Sequence, residues 1–230
     1  MKAGIDLGRE ILAAVAVENG TALFYRGGAL KSDYFYFERK IAVVNRALSD
    51  PKLEEVDRDV LRERRRWLYD KMRRRREQVF AKTAAHIAKT LRALGVGVVF
   101  IGYPRGIAQS APGKGNTNVW SYWKLITRVS VTLENHGIAL FAVPEDGTSQ
   151  HCARHGCRVE RVQRGLVKCP FGHVMHADVN ATMNILKRGA QLLGCEVELP
   201  ARIKVLSFTP TPERVVERRR KAHNPALKAG

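Results

Sequence analysis

Lys2-Ala3-Gly4-Ile5-Asp6-Leu7-Gly8, followed by Ile11-Leu12-Ala13-Ala14-Val15-Ala16-Val17-Glu18-Asn19-Gly20-Thr21-Ala22-Leu23-Phe24-Tyr25, is the stretch on which the architecture turns. Residues 3–8 read as a strand closed by a glycine-containing break, and Ile11 to Val17 as a second strand. Asn19-Gly20 is a strong hairpin signal ahead of a third strand at Ala22 to Tyr25, because both residues tolerate the backbone that a two-residue loop demands. Asp6 stands between Ile5 and Leu7, where an acid is costly unless it binds something. The competing reading of Asp6 is a plain charge at a strand end.

Working outward, roughly 38–47 reads as a short helix stopped by Ser49-Asp50-Pro51. From about Val56 to Leu94, Leu68, Met72, Val79, Phe80, Ala84, Ile87, Leu91 and Leu94 recur at three- and four-residue steps, which gives a long helix or helix pair with one apolar stripe. Val96 to Ile101 is a continuous apolar run of the kind buried parallel strands show, and Gly102-Tyr103-Pro104 stops it. A polar loop over Gly113 to Asn118, an amphipathic helix over Trp120 to Asn135 and a second buried strand at Ile138 to Val143 follow. A further helix runs from about Val179 to Leu193, and residues 205–230 read as a disordered basic tail. Hairpin, helix, strand, helix, strand and terminal helix make an α/β arrangement with a mixed sheet. A strand carrying an acid and then a hairpin is how ribonuclease-H-like folds begin, although other α/β folds share that pattern.

Two ligand pairs lie between the last strand and the last helix. Cys152-Ala153-Arg154-His155 is Cys-x2-His and Cys169-Pro170-Phe171-Gly172-His173 is Cys-x3-His, with thirteen residues between them. Zn²⁺ takes four soft or borderline donors in a tetrahedron, and each short loop presents two of them on one turn. Cys157 is a spare thiol able to replace His155. A closed ligand set leaves no position for substrate, so the expected role of zinc is structural. His176-Ala177-Asp178 follows at once, with Asp178 either a metal ligand or a helix N-cap. His176 is expected to bond a carbonyl of the insert rather than a metal. Three of the four cysteines fall in this cluster, which reads as metal binding rather than disulfides.

Forty Lys and Arg against 22 Asp and Glu leave a net charge of +18, which calls for a polyanionic partner, nucleic acid before membrane. No apolar run approaches the roughly 20 residues needed to span a bilayer. An acid at position 6 is too early for a signal peptide, so a cytoplasmic protein is expected. Ten basic residues between Arg58 and Arg76 face Asp59, Glu63 and Asp70 alone. Pairs such as Arg66 with Asp70 cannot neutralise that surplus, whereas phosphates can. Arg64, Arg65, Arg66, Arg73, Arg74, Arg75 and Arg76 are the expected nucleic-acid contacts, largely indifferent to sequence. Trp120, Tyr122 and Trp123 offer either a stacking surface for bases or core anchors.

Gly4-Ile5-Asp6-Leu7-Gly8, the Thr148-Ser149-Gln150 lead-in to the Cys knuckle, and Asp178-Val179-Asn180-Ala181-Thr182-Met183-Asn184-Ile185-Leu186 together resemble TnpB, the transposon-associated protein also called insertion-sequence OrfB and a relative of compact type V CRISPR effectors. The resemblance spans about residues 1–190 and is similar to an archaeal branch in its Cys/His ligand pairs. It implies a RuvC-like nuclease domain (1–147 and 178–200) interrupted by a zinc ribbon (148–177). It further implies Mg²⁺-dependent cutting of DNA directed by a guide RNA, in a prokaryotic, nucleoid-associated setting. Asp6 and Asp178 then hold Mg²⁺, and Cys152, His155, Cys169 and His173 hold zinc. The family's middle catalytic Glu aligns with Gly102. Either Glu145, at the end of the next strand, supplies the missing carboxylate, with Asp146 beside it, or the chain is an impaired nuclease that only binds nucleic acid. The family also carries an N-terminal recognition region ahead of the nuclease motif, so complete guided targeting by this polypeptide alone is not expected.

Overall fold

A computed structural model describes residues 1–8, 10–103, 122–163 and 165–218. The opening stretch forms β1 (Lys2–Asp6), β2 (Ile11–Val17) and β3 (Thr21–Arg26), an antiparallel meander whose second turn is fixed by the Thr21 N–H donating to Asn19 Oδ1 (2.9 Å). Two helices follow, α1 (Gly28–Leu48) and α2 (Glu55–Ala93), then β4 (Val98–Tyr103), α3 (Tyr122–Glu134) and β5 (Ala139–Pro144). The short strands β6 (Glu160–Gln163), β7 (Leu166–Lys168) and β8 (Val174–His176) form a separate sheet. The chain returns through α4 (Ala177–Leu192) to β9 (Lys204–Pro210) and β10 (Val215–Glu217). The main sheet runs β10-β9-β3-β2-β1-β4-β5, with β4 and β5 parallel to β1 and β9 parallel to β3.

Side-chain alternation divides the strands between two cores. Ile5, Val15, Leu23, Tyr25, Val99 and Ile101 meet the α2 stripe of Val79, Phe80, Ala84, Ile87 and Leu91 together with α3. The opposite faces, with Ala14, Ala16, Ala22, Phe24 and Phe100, meet Val179, Met183, Leu186 and Ala190 of α4. Small residues on that face let α4 lie close. At Gly4 a Cβ would stand 2.4 Å from the carbonyl oxygen of Thr182, so the glycine ahead of Asp6 is what seats the helix against the central strand.

Three expectations change, and one open alternative is decided. The short helix at 38–47 is the 21-residue α1, because Phe37, Ile41 and Val44 bury against Leu68 of α2 and extend the apolar register backwards. Val56 to Leu94 is one helix rather than a pair. The run at Ile138 to Val143 forms the sheet's edge strand, so of β5 only Val143 is buried. Residues 205–217 are not a loose tail: Phe208 is buried, stacks on Tyr25 with ring centroids 5.4 Å apart, and carries β9 into the sheet, while residues 219–230 lie outside the described ones. No described helix is long and apolar enough to cross a membrane.

Candidate functional site

Because β1, β3, β4, β5 and β9 all run the same way, their carboxyl ends meet at one edge of the sheet. Asp6 ends β1 and Arg26 ends β3, Gly102 is the penultimate residue of β4, and Glu145 follows β5 directly. Asp178 arrives at the same edge from the first turn of α4. An open cleft of about 1120 Å³ there is lined by Asp6, Glu10, Arg26, Arg161, His176 and Asp178, among others. Residues nearly the whole chain apart in sequence thus share one cavity.

The electrostatics tie the three acids together. Burial, then the charges of Glu145 and Asp178, push the Asp6 carboxyl up to about 8 against a single bond from the Leu7 N–H. Burial raises Asp178 too, opposed by His176, Arg161 and Arg26, and burial with Asp146 raises Glu145. Such a cluster is strained while unneutralised, and its all-oxygen donor set is the kind hard divalent cations take. Among the described residues no insert carbonyl bonds His176. It caps α4, with Nδ1 accepting the Asp178 N–H (3.3 Å), so Asp178 is not the cap, and its carboxylate lines the cleft 3.4 Å from the same nitrogen.

Gly102 explains how Glu145 reaches the site. A Cβ at position 102 would lie 3.0 Å from Glu145 Oε2 and 2.7 Å from Ile185 Cδ1, so the Glu145 carboxylate occupies space that a side chain on β4 would fill. Its backbone is clamped from both sides. Thr148 donates to the Glu145 carbonyl through N–H (3.0 Å) and Oγ1 (2.8 Å). Arg188 of α4 donates to the carbonyls of Pro144 and, at 2.9 Å, Asp146. Sequence reasoning missed Arg188, whose role depends on a helix and a strand end meeting.

The ligand atoms of Cys152, His155, Cys169 and His173 all lie within 4.8 Å of one another. Cys152 Sγ is 3.7 Å from His155 Nδ1 and 3.5 Å from His173 Nδ1, and Cys169 Sγ is 3.2 Å from His155 Nδ1. A tetrahedron with ordinary Zn–S and Zn–N lengths has S···N edges of about 3.5 Å, so the set fits a metal such as zinc. Although burial opposes it, hydrogen bonds from His155 and from the His173 and Phe171 N–H groups draw the Cys169 thiol down to about 7. Cys157 stays outside the set, its thiol against the Cys169 sulfur. Asn180 and Asn184 bind this loop to α4: Asn180 accepts from the Ala153 N–H (2.9 Å) and donates to the His151 carbonyl (2.7 Å), and Asn184 donates to the Thr148 and His151 carbonyls (2.8 Å each). The Cys/His loop and the helix bearing Asp178 are one assembly.

The arginines of α2 divide. Arg64, Arg65, Arg66, Arg73 and Arg74 are exposed. Arg62, Arg65 and Arg66 line a groove of about 460 Å³ with Asn45, Tyr69 and Asp70. Arg75 is instead bound to Asp33 of α1 through two bonds (2.7 and 3.1 Å), with Glu213 3.7 Å away, and Arg76 is half-buried. Asp70 pairs with Arg73 (2.8 Å), the i+3 neighbour, rather than with Arg66. Arg58 caps α1, donating to the carbonyls of Leu48 (3.1 Å) and Asp50 (2.8 Å). Trp123 is exposed, which removes it from the core, Tyr122 packs partly buried against the core, and Trp120 lies outside the described residues.

A hairpin-led mixed sheet with acids from β1, β5 and α4 converging at its carboxyl edge defines a RuvC-like domain of the ribonuclease-H type. Residues 1–108 match the family described as OrfB_IS605, probable transposase, and residues 122–185 match the Cas12f1-like TNB domain. TnpB-like protein ORF457 of Acidianus two-tailed virus is 38% identical over 217 residues, which is 93% of this chain and 46% of that protein. The chain therefore belongs to the TnpB family, also described as insertion-sequence OrfB. Its fold is similar to that in the Cas12f1-sgRNA-target DNA complex (TM-score 0.61, 20% identity, 81% of this chain and 50% of that one). A CRISPR-Cas12f ternary complex is also similar (TM-score 0.64, 20% identity, 80% and 38%). The chain spans about half or less of the length of each of these relatives.

Proposed function

We propose that this chain is a Mg²⁺-dependent DNA endonuclease domain of TnpB type in which the middle acid has moved from β4 to the end of β5. The observation that carries the reading is the reciprocal pair Gly102 and Glu145: the one lacks a side chain where the other's carboxylate lies, and that carboxylate acts on Asp6. Asp6, Glu145 and Asp178 would hold one or two Mg²⁺ ions, and Mg²⁺ bound there would lower the pKa of a coordinated water so that it yields the attacking hydroxide, and would neutralise charge on the leaving oxygen. The chain's own part is to hold three carboxylates at one edge and to balance them with Arg26 and Arg161. Zinc in the Cys152, His155, Cys169 and His173 set makes the segment 148–177 a rigid insert, and Asn180 and Asn184 transmit that rigidity to Asp178. Nuclease segments 1–147 and 178–200 then form the main domain, extended by β9 and β10.

Target DNA and a transposon-derived guide RNA are the proposed partners, in keeping with the nucleic acids in the Cas12f1 complex. The exposed arginines of α2 are the proposed phosphate contacts. An archaeal setting accords with the viral relative, and nucleoid association is proposed from the DNA partner alone. Gly102 also supports a second reading, a nucleic-acid-binding member that does not cut. The test is a cleavage assay on single- and double-stranded DNA in Mg²⁺ or Mn²⁺, with Asp6→Asn and Glu145→Gln beside the parent. Cutting that both variants lose is expected. Binding without cutting in every divalent metal leaves only the second reading, and cutting that survives Glu145→Gln removes Glu145 from the site.

A further inference from the structure

Arg26 is the last residue of β3, on the cleft, and its Nε donates to Ser207 Oγ of β9 (3.0 Å). That bond uses the Nε edge of the guanidinium and leaves its terminal nitrogens to the cleft. Ser207 is held in turn: β9 pairs in parallel with β3, with Phe24 opposite Ser207, and the Arg218 N–H donates to the Ser207 carbonyl (2.7 Å). The proposed metal ligands Asp6 and Asp178 and the Lys31-paired Glu10 offer a phosphodiester no donor of their own, so a cation fixed on the same wall supplies the phosphate contact they lack. Arginine suits that task because its fork offers paired donors in fixed geometry.

We infer that Arg26 anchors a backbone phosphate of the bound strand in the catalytic cleft, and that Ser207 on β9 is the positioning residue that aims it. The inference deepens the nuclease reading and rests on it for the identity of the strand. It makes the parallel strand added after α4 a part of the substrate-binding wall rather than a cap on the sheet alone. Nothing in the family-typical motifs at Asp6 or Asp178 draws attention to a serine so far along the chain.

The experiment measures binding of a short fluorescein-labelled oligodeoxynucleotide in Ca²⁺, over a range of salt, together with cutting kinetics in Mg²⁺. An oligoribonucleotide of the same sequence serves as a second arm and tells which strand the wall prefers. Arg26→Ala is expected to weaken binding about tenfold and to lower the slope of log affinity against log salt by about one, the loss of one phosphate contact. Arg26→Lys and Ser207→Ala are expected to keep the slope yet raise KM several-fold, with Ser207→Thr restoring it. A purely structural role for Ser207 moves thermal stability and leaves KM alone. An unchanged affinity and salt slope in Arg26→Ala overturns the inference, as does a parent protein that binds neither strand. A parent that binds but never cuts, with the slope still lowered in Arg26→Ala, upholds the anchor and refutes the nuclease reading instead.

Discussion

At Gly102 the absence of a side chain has consequences that a substitution can measure. Gly102→Ala drives a methyl group into Ile185 Cδ1 and the Glu145 carboxylate. A cost of about 1–3 kcal/mol in a urea titration is expected, with loss of cutting because Glu145 is displaced. Asp6 gives the pH behaviour. Its folded pKa, about 8, lies above its ordinary 3.8, so the metal-free folded state binds a proton that the unfolded chain has released. Stability is therefore greatest below about pH 4 with respect to this group and falls as pH rises toward 8, by at most about 1.4 kcal/mol per pH unit. Denaturation curves across that window should show the fall in the parent and lose it in Asp6→Asn. Asp6 and Asp178 could be picked out in the sequence because an acid in an apolar strand and an acid at a helix start each need a reason. Glu145 needed the missing Glu at 102 as a clue. Arg26, Arg188 and Ser207 carry no local signal, since each acquires its role only from a residue on another element.

Among the elements, α4 does the joining. It touches β1, β2, β4 and β5, begins beside the metal loop and carries Asp178, Asn180, Asn184 and Arg188. Stripping zinc with a strong chelator, or Cys169→Ser, is expected to open residues 148–177 to limited proteolysis and to suppress cutting, with most of the helical circular dichroism retained. An intact, uncleaved insert in protein that analyses free of zinc contradicts the structural role. Periodicity read α2 and α4 well because their apolar stripes are long and regular. It misjudged α1, where Tyr34, Phe35 and Tyr36 mask the register, and β5, whose apolar run looks buried but ends the sheet. It also misjudged β9 and β10, whose prolines and arginines suggest a loose tail while Phe208 and the parallel pairing to β3 supply the order.

For the molecule as a whole, net charge of +18 is distributed with a purpose that the α2 arginines make testable. Replacing Arg64, Arg65 and Arg66 with alanine is expected to lower the salt slope of nucleic-acid binding by about one for each arginine in contact, with little change in stability. Arg75→Ala should do the reverse, leaving the slope intact and costing about 1 kcal/mol once solvent screening of its pair with Asp33 is allowed for. Equal salt slopes in the parent and the triple variant would place those arginines away from the nucleic acid. Composition announced a polyanion partner, but only the packing of α1 on α2 sorts the arginines that face outward from those that hold the hairpin together.

The parallel pairing of Thr21 with Lys204 also bears on how the protein is made. During translation β3 has no neighbour on its outer side until everything from α1 to β9 has followed it out of the ribosome. For that interval a row of unpaired amides beside Leu23 and Tyr25 is open to wrong partners. Expression yield should thus depend on chaperone supply and growth temperature more than the stability of the finished fold suggests.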